Sequence, residues 1–315
     1  MKVVMLHHPH SYKREEWPPM AMALGFFDGV HAGHQRVILS AKHIADEKGL
    51  KSAVMTFDPH PSVVLGTKHQ HIEHITPLNE KKKIIAELGI DYLFVVRFTS
   101  DFAGLEPQQF VDQYIVGLNV QHVTAGFDYT YGRLGKGTMD TLKHHSHQAF
   151  TVTTIEKYEI DGEKVSSTRI RALLKGGEME KAALLLGRFY EISGTVIHGD
   201  KRGREIGFAT ANIELNEQFI IPKTGVYAVK IRIKEQWYNG VCNLGYRPTF
   251  KSPDELSLSI EVHIFNFDAE IYGEEVDVRW YEHLRDEQKF NGIEELVTQI
   301  NKDKQKAIEY FENLD

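Results

Sequence analysis

The chain has 315 residues, 42% hydrophobic and 26% charged, which are globular proportions sufficient for two domains. Lys plus Arg is 37 against 44 for Asp plus Glu, a net charge of −7. This argues against non-specific nucleic-acid binding, which draws on basic patches. A single cysteine, Cys242, excludes an intrachain disulfide framework and a cysteine-based zinc site and fits the reducing cytoplasm.

The apolar run at residues 3–6 is too short for a signal peptide. The longest apolar stretches, 20–27 and 92–96, fall far below the ~20 residues of a membrane helix, so no membrane partner is expected. Short apolar runs at 21–24, 53–57, 92–97, 123–126 and 152–155 read as buried strands. Between them, residues 34–48 place Val37, Ile38, Ala41, Ile44 and Ala45 on one helical face, with Gly49 as a stop. Residues 79–88 and 107–117 carry similar patterns. Strand–helix alternation predicts a Rossmann-like α/β domain on a parallel sheet, with ligands at the carboxyl ends of its strands.

A short helical pattern at 179–186 ends at Gly187, and the period then shortens towards two. Residues 190–197, 225–233, 237–244, 257–265 and 275–280 read as antiparallel strands of a small barrel, and 293–314 as a terminal helix. The boundary is placed between 186 and 187, giving domains 1–186 and 187–315.

Leu24-Gly25-Phe26-Phe27-Asp28-Gly29-Val30-His31-Ala32-Gly33-His34 joins the first strand to the first long helix. Gly25, Gly29 and Gly33 let backbone approach a ligand, and the helix N-terminus suits a phosphate. His31 and His34 share a face if the helix starts there, where they can donate to phosphate oxygens as charge builds. An isolated pair at this spacing is more often two surface histidines; the glycine-framed setting after a strand tips the balance. It resembles the signature of the nucleotidylyltransferase superfamily. Ser166-Ser167-Thr168-Arg169-Ile170-Arg171 taken alone reads as a plain helix cap with surface arginines; together with the histidine pair it can make a second phosphate clamp. Two further segments, Thr56-Phe57-Asp58-Pro59-His60-Pro61 and Gly126-Phe127-Asp128-Tyr129, put aromatic rings into loops where they can stack on a flat ring or simply pack.

With these segments the first half resembles the FMN adenylyltransferase module of bacterial bifunctional riboflavin kinase/FAD synthetases. The resemblance implies that His31 and His34 steady ATP phosphates, that Ser167, Thr168 and Arg171 hold the triphosphate, and that Asp128 borders the site, where some relatives have Asn. Gly25, Phe26, Asp28, Gly29 and Gly33 are then the ATP-side loop, and Phe57 and Pro59 lie towards the flavin.

In the second half, residues 194–212 open the barrel with glycines and basic residues, among them Gly199, Lys201 and Gly207, that can cradle phosphates. The Gly-Lys-Ser/Thr ending of a P-loop is absent. Thr210 and Asn212 alternate with Ala211, and two neutral oxygen donors can complete a Mg²⁺ shell around ATP. Glu261, in step with Ser259 and His263, is by itself more often a solvent-facing strand carboxylate, but it can accept the proton of a bound alcohol. The order of these motifs resembles the riboflavin kinase domain, a six-stranded barrel with a C-terminal helix. The resemblance makes Thr210 and Asn212 the Mg–ATP residues, Glu261 the base, and the segment from Arg285 to Phe290 the flank of the flavin. That family has Pro before the Thr. This chain has Ala209, which loses no ligand but relaxes φ.

The expected chemistry is therefore two-step and ATP-dependent, with riboflavin, FMN and FAD as substrates and products and Mg²⁺ as cofactor. The alternatives are another nucleotidylyltransferase, acting on pantetheine phosphate or a pyridine mononucleotide, and a non-enzymatic flavin-binding protein. The partners expected are small molecules, with self-association left open. The histidine clusters at 7–10, 69–74 and 144–147 lack partners in register for a metal site.

Overall fold

A computed structural model describes residues 1–66, 73–199, 203, 206–248 and 256–314. They divide into two compact units, Met1–Ser167 and Thr168–Asp315.

In the first unit, β1 (Lys2–Leu6), β2 (Met20–Leu24), β3 (Lys51–Asp58), β4 (Tyr92–Arg97), β5 (Val120–Gly126) and β6 (Thr151–Ile155) form one sheet in the order β1-β4-β3-β2-β5-β6. Every pairing is parallel. Strands covered on both faces need no polar alternation, and β2 reads Met-Ala-Met-Ala-Leu, buried throughout. α1 (Ala32–Lys48) buries Val37, Ile38, Ala41 and Ala45 on one face, the first three against Ala23, Val54 and Leu93. The opposite face packs Met22, Leu24, Met55 and Phe94 with Phe102, Phe110 and Tyr114. Chain order reverses around β2, which has β3 on one side and β5 on the other. Such switch points open the crevice in which α/β sheets bind ligands.

Two details depart from expectation. β1 is an additional edge strand, paired only with β4, and only two of its five residues are buried. The helical stretch from 107 starts as an α-turn, Pro107–Phe110, and continues as a π-helix, Val111–Val116. α2 (Leu78–Glu87) matches its pattern.

In the second unit, α3 (Ser167–Gly176) begins at the border and α4 (Met179–Leu186) follows, lying against the barrel. The barrel strands are β7 (Tyr190–Ile197), β8 (Ala211–Leu215), β9 (Gly225–Ile233), β10 (Gln236–Pro248), β11 (Leu256–Ile264) and β12 (Glu275–Arg285). They close in the order β7-β8-β11-β10-β9-β12, and all pairings are antiparallel. Tyr227, Val229, Trp280, Cys242, Leu244 and Val262 are fully buried. Closure removes the sheet edges that would otherwise seek partners. α5 (Ile293–Leu314) sets Ala307 and Phe311 on Val226, Ala228, Val241 and Tyr281 outside the barrel wall.

Candidate active sites

The first site grows from the turn between β2 and α1. Phe27, Gly29 and Val30 have φ of 54°, 90° and 37°. A β-branched residue at positive φ is strained and persists only where its surroundings over-determine it. Asp28, 4% exposed, accepts the Thr76 N–H on Oδ1 at 3.1 Å. The Thr76 hydroxyl accepts the Gly29 N–H at 2.7 Å. The Ser167 hydroxyl donates to the Asp28 carbonyl at 2.8 Å, which ties Ser167 to the same turn. Thr168 and Arg171 follow on α3, in the second unit.

This turn delivers the chain to α1 with His31 as the N-cap. The His31 Nδ1 accepts the His34 N–H at 3.1 Å. Accepting there leaves Nε2 to carry the ring proton of the neutral form. The two imidazoles stack at 3.5 Å between centroids and 14° between planes, with Gly33 between them in sequence and close against the His31 ring. The stacked rings and the first turn of α1 lie at the positive end of the helix dipole. Helix α1 begins two residues earlier than the apolar periodicity suggests, because the His31 cap starts it.

The surrounding loops place the other expected residues. The Phe26 ring stands edge-on to His60 at 4.3 Å. Phe57 is 8% exposed and packs against Phe98 and Phe102. Pro59 follows Asp58, which pairs with Arg97 at 3.7 Å. Asp128 is exposed and bonded to Lys164 Nζ at 2.7 Å, and that ammonium also covers the Phe127 ring.

Sequence reasoning missed Lys81. It is 3% exposed, donates to the Phe26 carbonyl at 2.6 Å and reaches the Thr56 hydroxyl at 3.3 Å. Burial lowers its pKa to about 8, against the pull of Asp28 and Asp58. The signal was available: Lys81 shares a helical face with Ile84, Ile85 and Leu88.

The second site lies on the outer wall of the barrel. Ile260, Val262 and Ile264 turn inwards, so Ser259, Glu261 and His263 turn outwards. Glu261 is directly opposite Asn212 on β8 and Asn243 on β10. Its Oε1 accepts the Ser259 hydroxyl at 2.6 Å. His263 Nδ1 lies 2.9 Å from the Ala209 carbonyl, and burial holds this imidazole below its ordinary pKa of 6.5 despite that bond. Thr210 immediately precedes β8, and it lines a cavity with Asn212, Gly199, Phe267 and Tyr272. A Cβ at Gly199 would collide with the Asn212 amide. Gly207 takes a turn at φ 85°. Lys201 lies outside the described residues.

Arg285 is committed to a fork with the buried Asp303 of α5, at 3.0 Å from Nε and 2.8 Å from Nη2. The Phe290 ring lies 5.8 Å from its guanidinium. Burial pushes the Cys242 thiol well above the usual range, and the Glu261 carboxylate adds to this. Among the described residues no helix is long and apolar enough to cross a membrane.

Residues 13–169 match the family model for FAD synthetase and residues 186–311 the one for riboflavin kinase. A nucleotide-transfer sheet and a kinase barrel in one chain define a bifunctional, ATP-using transferase, with riboflavin kinase and FMN adenylyltransferase activities. The chain is 54% identical, over 100% of its length and 99% of the relative's, to the bifunctional riboflavin kinase/FMN adenylyltransferase of Bacillus subtilis. It is 51% identical to that of Listeria monocytogenes, over 100% of both chains. It belongs to the bifunctional riboflavin kinase/FMN adenylyltransferase family. A crystal structure described as a macrolide-efflux protein from Streptococcus pneumoniae is 33% identical, with a TM-score of 0.87 over 97% of this chain and 98% of that one. Matches to both models along the chain set aside the readings as a different nucleotidylyltransferase or a non-enzymatic flavin binder.

Proposed function

We propose that residues 187–315 transfer the γ-phosphoryl group of ATP to the 5′-hydroxyl of the ribityl chain of riboflavin, giving FMN and ADP. Residues 1–186 then join the FMN phosphate to the α-phosphorus of a second ATP, giving FAD and pyrophosphate. Both steps run in the cytoplasm.

What supports this reading above all is that the His31–His34 stack and Glu261 stand in different compact units. In the kinase step Glu261 accepts the proton of the attacking hydroxyl, oriented by its bond from Ser259. Mg²⁺ fits Thr210 and Asn212, which both line one cavity and carry neutral oxygens. The described residues contain no group of three or more His, Cys, Asp or Glu able to cage a metal. Such a donor set suits a cation that arrives with ATP phosphates. Bound there, it would neutralise charge on the phosphates.

In the adenylyl step no covalent intermediate is needed. His31, His34 and the first-turn N–H groups of α1 hold the phosphates and stabilise the charge that builds as pyrophosphate leaves. Ser167, bonded to the Asp28 carbonyl within the same unit, adds a hydroxyl for the triphosphate. Pro59 and the loop carrying Asp128, with Phe57 inside β3 packed against Phe98 and Phe102, are the flavin side of this step, as the segment from Arg285 to Phe290 is of the kinase step. Lys201 adds a cation to the kinase nucleotide loop.

Isotopically labelled ATP tests the reading. With riboflavin and Mg²⁺, label at the γ-phosphorus should enter FMN and remain in FAD. Label at the α-phosphorus should enter FAD alone. Label from the α position in FMN would contradict it.

A further inference from the structure

Lys81 buries a charge at a place where burial is costly and where nothing in the reaction outlined above uses it. Burying an ammonium is unfavourable unless it is well paired. Its pairing is specific. Nζ donates to the Phe26 carbonyl at 2.6 Å and lies 4.1 Å above the Phe26 ring. The Thr56 hydroxyl donates to the same carbonyl at 2.8 Å and accepts from Nζ at 3.3 Å. Lys81 thus reaches from α2, with Thr56 of β3, to one peptide of the β2–α1 turn. Asp28 and Asp58 are the charges that favour its protonated form.

That peptide opens the strained part of the loop. Phe27, Gly29 and Val30 follow it at positive φ, and His31 caps α1 directly afterwards. Thr76 and Ser167 fix the turn at Asp28 and Gly29. At Phe26 the turn is fixed through its carbonyl by Lys81 and Thr56, while the ring meets His60 and His74. A strained segment keeps its shape when fixed at both ends.

We propose that Lys81 is a positioning residue for adenylyl transfer, holding the Phe26 carbonyl so that the turn presents the His31–His34 pair to the phosphates. This rests on the role proposed for that pair. A pair displaced by a fraction of an ångström still lets the substrates bind but stabilises the transition state poorly, so the loss belongs in kcat and not in KM.

The test uses the full chain with FMN, ATP and Mg²⁺, following FAD, with the riboflavin kinase rate and the melting temperature as controls. Lys81→Met should lower kcat for FAD synthesis about 10²-fold, with KM for ATP and FMN within about 3-fold. Lys81→Arg, which keeps a donor and a charge, should recover about 10-fold of that loss. The kinase rate should not change. If Lys81→Met does not fold, Thr56→Val is read instead, with a kcat loss of about 10-fold expected. An unchanged kcat, a loss confined to KM, or no recovery in Lys81→Arg would overturn the proposal. His34→Ala runs beside them. If it loses FAD synthesis while Lys81→Met keeps it, only the positioning role fails. If both keep it, the role of the histidine pair fails as well.

Discussion

Asn212 and Glu261 face each other directly across β8 and β11, on the outer wall of the barrel. A candidate metal-phosphate donor and a candidate base thus stand one strand apart, with Cβ atoms roughly 5 Å from each other in such pairs. Glu261→Gln keeps the shape and removes the base. It should lower FMN formation from riboflavin by about 10²–10⁴-fold. FAD formation from supplied FMN should stay at the unmodified rate when flavins are resolved by chromatography.

Removing a histidine from the stacked pair should have the opposite profile. His34→Ala should lower FMN-to-FAD conversion by about 10²–10³-fold, the loss typical of an oxyanion-type donor. Riboflavin phosphorylation, measured in the same preparation, should be unaffected.

The cavity beside Asn212 depends on the missing side chain at Gly199. Gly199→Ala should displace the Asn212 amide and raise KM for ATP in the kinase reaction by about 10-fold. Initial rates over an ATP titration would show it, with the adenylyl reaction as control.

The Arg285–Asp303 fork ties β12 to α5. Asp303→Asn leaves the guanidinium half-buried without its counter-charge and should cost about 3–5 kcal/mol. Denaturant unfolding followed by circular dichroism measures this directly.

His122 predicts a pH dependence of stability. It is 4% exposed, its Nδ1 lies 2.6 Å from the Thr151 hydroxyl, and its buried Nε2 has no hydrogen-bond partner among the described residues. Burial, and then the nearby Lys48, lower its pKa from 6.5 to about 4. The unfolded chain therefore takes up this proton first as pH falls. The contribution is full above pH 6.5 and is lost progressively down to about 4, amounting to about 3 kcal/mol. Unfolding curves between pH 7 and 4 should show this slope, and His122→Gln should flatten it.

Much of the architecture was legible because its signals are local. The buried runs at β2, β3 and β4, the apolar faces of α1 and α5, and the alternation through β7, β11 and the second half of β9 all follow from burial at fixed periods. β1 was not, because an edge strand of five residues with two buried gives little pattern. The His31–His34 pair could be read from a glycine-framed turn. Its stacking could not, because ring geometry follows from a cap and three positive φ angles that sequence does not display. The Lys164 partner of Asp128 and the Thr76 bonds to Asp28 and Gly29 join residues 36 to 48 positions apart, and only the fold brings them together. Lys81 was not singled out, although it shares a helical face with Ile84, Ile85 and Leu88.

Mixing two single-site variants tests the central claim, that two separate pockets act in sequence, most directly. Glu261→Gln and His34→Ala are each given riboflavin, ATP and Mg²⁺, and FAD is measured separately and after mixing. Each alone should make almost no FAD, and the mixture should make it, because FMN formed by one is adenylylated by the other. A mixture that makes no FAD although both proteins are folded, or variants that each lose both reactions, would contradict it.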